Sequence, residues 1–66
     1  MDYRDRIVRD PEVRFGKPVI KGTRISVADI LEFLAAGDAP SDILTEFPQL
    51  NIDDIRACLS FAACSL

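Results

Sequence analysis

Lys17, Lys21 and Arg24 stand within eight residues, set around Gly16 and Gly22, with the Thr23 hydroxyl beside the second glycine. Ammonium, guanidinium and hydroxyl donors next to a tight turn are equipment for gripping phosphate oxygens, with an affinity that falls as salt rises. A purely structural role competes for the same residues, because Arg24 can pair with an acidic helix residue such as Asp29 or Glu32. The charges are also sorted along the chain. Residues 1–24 hold seven Lys and Arg against four Asp and Glu, a net +3, whereas residues 25–66 hold Arg56 alone against seven carboxylates, a net −6. That asymmetry points to an anionic partner for the front of the chain.

Other chemistries find little footing. The chain has no histidine, which excludes imidazole acid–base catalysis and histidine–metal sites. Cys58 and Cys64 fall in one apolar helix without an activating base, where thiols are inert. Six residues of helix put them about 9 Å apart along the axis and on different faces, too far for a disulfide. Reduced thiols fit a cytoplasmic protein. The glycines do not form a P-loop, and the carboxylates sit at helix starts or on solvated faces. The expectation is a non-enzyme with no cofactor, metal or small-molecule substrate. No apolar run is long enough to span a membrane, and the charged start Met1-Asp2-Tyr3-Arg4-Asp5-Arg6 is no export signal.

The elements that must position these residues are short. At 66 residues the chain is read as one domain, with strands over 4–25 and three helices over 26–64. Ile7-Val8 in polar surroundings reads as an edge strand within 4–9, ended at Asp10-Pro11. Val13, Phe15, Val19 and Ile20 are spaced for a second, bent strand, and Gly22 permits a reversal from Val19-Ile20 to a further short strand at Ile25. Ser26 with Asp29 has the spacing of a helix N-cap with an acidic first turn. Val27, Ile30, Leu31 and Leu34 then form the apolar stripe of a helix over 27–36, with Asp29 and Glu32 facing outward and Gly37 as its C-cap. Pro40 opens a short second helix that buries Ile43, Leu44 and Phe47 and stops at Pro48. Asn51 caps a third helix over 52–64, with Asp53 and Asp54 in its first turn. Three helices joined by short turns, the middle one brief, is the arrangement of a helix-turn-helix unit. The fold class expected is mainly α: a three-helix, homeodomain-like or winged helix-turn-helix with short N-terminal strands.

The run GKPVIKGTRISVADILEFLAAG, the break EFPQL and the segment NIDDIRACLSFA resemble the bacterial family numbered 433 among the domains of unknown function. The resemblance covers residues 4 to 63. It implies a small helix-turn-helix domain. Because some members resemble VapB-type antitoxins encoded beside a PIN-like ribonuclease, it also implies nuclease neutralisation and operator binding. One departure is that the sequence stops at Leu66, without the long disordered tail that many antitoxins wrap around their toxin.

The residues divide the work between two surfaces. Lys17, Lys21, Thr23 and Arg24 are the candidates for DNA, joined by Arg56, the only cation on the third helix. Asp53 and Asp54 at that helix's leading end would repel phosphate, so the helix itself is a poor base reader. From Ala57 to Leu66 the only polar residues are Ser60 and Ser65 besides the two cysteines, and a helix apolar all round must be covered. Leu59 and Ala62 are expected to pack inward, with Cys58, Phe61 and Leu66 meeting a second chain. A homodimer is the default, since so small a chain commonly completes its core with a partner. The alternative function is an interaction adaptor that dimerises through this helix and has no DNA affinity.

Overall fold

The computed structural model describes residues 2–66. It is mainly α, with a short two-strand antiparallel ladder ahead of three helices. The chain opens with a 3-10 turn, Tyr3–Asp5, held by the Asp2 carboxylate accepting from Arg4 N–H at 2.9 Å. The edge strand is therefore confined to β1, Ile7–Val8, shorter than the 4–9 expected. β1 pairs with β2, Val19–Ile20, in the register Ile7 to Ile20 and Val8 to Val19.

The bent strand through Val13 and Phe15 does not form. Arg14–Gly16 is a second 3-10 turn, with φ of 51° at Arg14, 60° at Phe15 and 79° at Gly16. Only the glycine is at ease there; each L-residue in the left-handed region costs about 1–2 kcal/mol. The Gly22 reversal does form, closed by Ile20 N–H donating to Ile25 C=O at 2.9 Å. Its second arm, however, is a single bridge from Val19 to Ser26 rather than a strand.

Helix α1, Val27–Ala35, starts on a reciprocal cap. Asp29 N–H donates to the Ser26 hydroxyl at 3.0 Å, and Ser26 N–H donates to the Asp29 carboxylate at 3.2 Å. It ends as Gly37 turns left-handed (φ 100°), with Gly37 N–H reaching Leu34 C=O and Asp38 N–H reaching Phe33 C=O, the bond pair that satisfies a helix's last carbonyls. Helix α2, Pro40–Glu46, places proline where no N–H is needed. Helix α3, Ile52–Cys64, repeats the reciprocal cap with Asn51 and Asp54.

Each helix contributes one fully enclosed isoleucine to a common centre: Ile30, Ile43 and Ile55. Ile7 and Ile20 close it from the ladder, and Leu50 from the α2–α3 connection. Phe33 and Phe47 meet edge to face at 5.7 Å across α1 and the end of α2. Two further expectations are corrected here. On α3 the face turned inward carries Asp54, Ile55, Ala57 and Cys58, so Cys58 lies in the core and Leu59, about 100° further round, is exposed. Asp29 is half-buried rather than outward, because its carboxylate is shared between the cap and an arginine.

Candidate functional site

The front of the molecule is organised by an arginine that the residue pattern did not single out. The Arg14 guanidinium donates to the Asp29 carboxylate and to the Arg24 carbonyl, both at 2.9 Å. It ties the left-handed turn to the start of α1 and to the residue after the Gly22 reversal. Partial burial pushes the Asp29 carboxyl up, but the hydrogen bonds from Arg14 and Ser26 outweigh it and hold the group below its ordinary value. Arg14, not Arg24, is thus the partner of Asp29.

The expected phosphate grip is dispersed. Lys17, Lys21 and Arg24 carry no ion pair among the described residues, so their charges remain available. They line different depressions, however. Lys17 rims an apolar groove between α1 and α3, Lys21 stands beside Asp5, Arg6 and Asp54, and Arg24 borders a groove with Arg14 and Glu32. The Thr23 hydroxyl is engaged by the fold: it donates to Ile20 C=O at 2.8 Å and accepts from Ile25 N–H at 3.0 Å. Arg56 sits 3.7 Å from Asp53 in an exposed pair, which restrains it weakly.

At the start of α3 a second arginine acts across the chain. Arg6 lies 3.1 Å from the buried carboxylate of Asp54 and 3.7 Å from Asp53. It joins the N-terminal turn to the capped helix across 48 positions of sequence. The two aspartates are therefore already partnered by a cation.

The apolar end of α3 divides in two. Phe61 is half-buried, packed edge to face on Tyr3 at 5.2 Å, with the Arg9 guanidinium 5.9 Å from its ring centre. Together with Val27 and Leu31 it lines the groove that Lys17 rims. Leu59 and Leu66 are exposed. Cys58 is fully enclosed, so it cannot present itself to another chain. Burial, aided by the nearby Asp54 charge, pushes its thiol up to about 12. Cys58 and Cys64 are both free, the second exposed. With a neutral-pH thiol reagent, one thiol per chain is expected to react while the protein is folded and two after denaturation; rapid reaction of both in the native protein would contradict the enclosure of Cys58.

Arg14 also lines a groove of about 620 Å³. Ile25, Phe33 and Phe47 form its apolar lining, with Arg24 and Glu32 at its borders. Neither charge has an ion partner among the described residues. Within the described residues there is no cluster of three or more groups able to hold a metal ion, and no helix is long and apolar enough to cross a membrane.

The chain is 32% identical over 59 residues to the uncharacterized protein y4eO of Sinorhizobium fredii (strain NBRC 101917 / NGR234), a match covering 89% of this chain and 27% of that protein. The chain thus corresponds to about a quarter of that relative's length. No solved structure shows significant similarity to it. Residues 7–62, which include β1, the Arg14 turn, the Gly22 reversal and nearly all of α3, match a family model described as Protein of unknown function (DUF433), and the chain belongs to that family.

Proposed function

We propose that this chain is a small non-enzymatic helix-turn-helix protein of the cytoplasm, the antitoxin of a toxin–antitoxin pair. It binds and neutralises a PIN-like ribonuclease and represses its own operon as a dimer. The observation that carries this reading is that Lys17, Lys21 and Arg24 hold no carboxylate among the described residues, while a separate apolar groove is lined by Val27, Leu31 and Phe61. Cations left unpaired by the fold suit a phosphate backbone. An apolar groove between two helices suits a segment of another protein. The dispersal of the cations favours contact along a duplex backbone over capture of one phosphate.

A specific observation favours a second reading, an interaction adaptor without DNA affinity. Asp53 and Asp54 occupy the leading turn of α3, and Arg6 is spent on them. A recognition helix normally puts its base readers at that end.

The two readings separate in a gel-shift titration against the region upstream of the protein's own gene, paired with co-purification of the product of the neighbouring reading frame. Retardation that weakens steeply with salt is expected. Lys17→Ala, Lys21→Ala and Arg24→Ala should each flatten the log–log salt slope by about 0.9 for every phosphate that the variant no longer neutralises. No retardation at low salt would leave the adaptor.

A further inference from the structure

Along α3, Ile52, Arg56, Leu59, Ala63 and Leu66 follow one another at spacings of four, three, four and three residues, and all of them are exposed. At about 100° per residue, the four that lie within the helix share an arc of about 60°, on the side away from the enclosed Ala57 and Cys58. The last turn is closed by Ser65 N–H reaching Ala62 C=O at 3.1 Å and Leu66 N–H reaching Ala63 C=O at 3.5 Å, which carries Leu66 on along the same row. The outward face of a helix is ordinarily its polar one. Here it holds a single charge, and its alternation of three and four is the seam by which one helix packs on another.

The charges on the row fit a second α3. Arg56 has a side chain 65% exposed and only loosely engaged, 3.7 Å from Asp53. The last turn of α3 carries no basic residue, so the helix supplies no cation to the carbonyls at its own negative end. A second α3 laid antiparallel on the first and crossing at Leu59 supplies one. Counted outward from that crossing, Arg56 of each copy comes opposite Ala63 of the other, a long side chain over a short one, beside the partner's last turn. Ile52 comes opposite Leu66. A parallel pair would instead set Arg56 against Arg56 and Asp53 against Asp53, like charges face to face.

We propose that this row is a two-fold interface, in which α3 of one copy packs antiparallel on α3 of another with Leu59 at the centre and Arg56 of each copy capping the other's helix end. The inference rests on the dimer invoked above and adds its face and its orientation. It uses the side of α3 away from Cys58, and leaves the groove lined by Phe61 open to a different protein. The row is about 21 Å long at 1.5 Å per residue, which places the contact among small interfaces and the association among weak, reversible ones.

The experiment is sedimentation equilibrium on the full chain over the micromolar range, where wild-type protein is expected to dimerise. Leu59→Glu should raise the dimer dissociation constant at least about thirtyfold, because the central anchor is lost from both halves of the interface. Ile52 and Leu66 lie at the ends of the row, where truncation costs less. Glutamate is a good helix former at an exposed position, so in dilute solution this variant should melt with wild type. Arg56→Glu should weaken the dimer about tenfold, since a carboxylate then faces the negative end of each helix. Adding Ala63→Arg should restore it, because the swapped charges meet only in the antiparallel arrangement. Wild-type protein that stays monomeric would overturn the dimer itself. A Leu59→Glu dimer as tight as wild type would overturn this interface and leave the dimer to another surface. A double variant weaker than Arg56→Glu alone would overturn the antiparallel orientation.

Discussion

Ile30→Ala should cost this domain about 2–5 kcal/mol, the usual penalty for truncating an enclosed isoleucine and leaving a cavity. Ile30 is 0% exposed, at the point where all three helices and the ladder converge. A chain of 66 residues commands only about 3–10 kcal/mol in total, at roughly 0.05–0.15 kcal/mol per residue. The substitution thus removes a large part of the stability, and in the lower half of that range it leaves little folded population. Urea unfolding followed by circular dichroism reads it directly, with Ile52→Ala as the comparison. Ile52 is 41% exposed, and a surface change of that kind stays within about 0.5 kcal/mol. Equal midpoints for the two variants would show that the isoleucine centre does not carry the fold.

Asp54→Ala is expected to have the next largest effect, about 2–3 kcal/mol, from a cap and an ion pair removed together. The carboxylate accepts from Asn51 N–H at 2.9 Å, lies 3.1 Å from the Arg6 guanidinium, and is 8% exposed as a residue. Removing the cap accounts for about 1 kcal/mol, and removing a charge-assisted hydrogen bond for about 1.5–3 kcal/mol before allowance for solvent around the arginine. Asp54→Asn separates the two contributions: its amide oxygen can still accept from Asn51 N–H, while the charge facing Arg6 is gone, so its cost should be roughly half. A double-mutant cycle with Arg6→Ala should return a coupling of about 1 kcal/mol. No coupling would mean that the Arg6–Asp54 pair does not help to hold the N-terminal turn on α3.

Both variants bear on function through position rather than chemistry. Ile30 sits on α1, the helix that contributes to both apolar grooves, one with Phe33 and the other with Leu31. Asp54 holds Arg6, and Arg6 with Lys21 lines the same depression. A drop in partner binding in either variant would accordingly follow the drop in folded protein, whereas the salt-slope variants change surface groups and leave the centre intact.

The helices were legible from residue types because their signals are local. The 3.6-residue spacing of Val27, Ile30, Leu31 and Leu34, the caps at Ser26 and Asn51, Pro40 at a helix start and Gly37 past a helix end each act within a few residues, and all appear where their chemistry places them. What depended on partners distant in sequence was decided only by the folded chain. Val13 and Phe15 alternate like a strand, yet Arg14 finds Asp29 fifteen residues away, and that bond holds the segment in a turn that no strand can follow. Thr23 has the look of a free donor, but the reversal at Gly22 consumes its hydroxyl. Cys58 and Leu59 are neighbours of similar apolar character, and only the rotation of α3 about its axis, set by Ile55 and Ala57 against the other helices, puts one inside and the other out. Local hydrogen-bond geometry is written residue by residue, whereas which face is covered depends on what the rest of the chain brings to it.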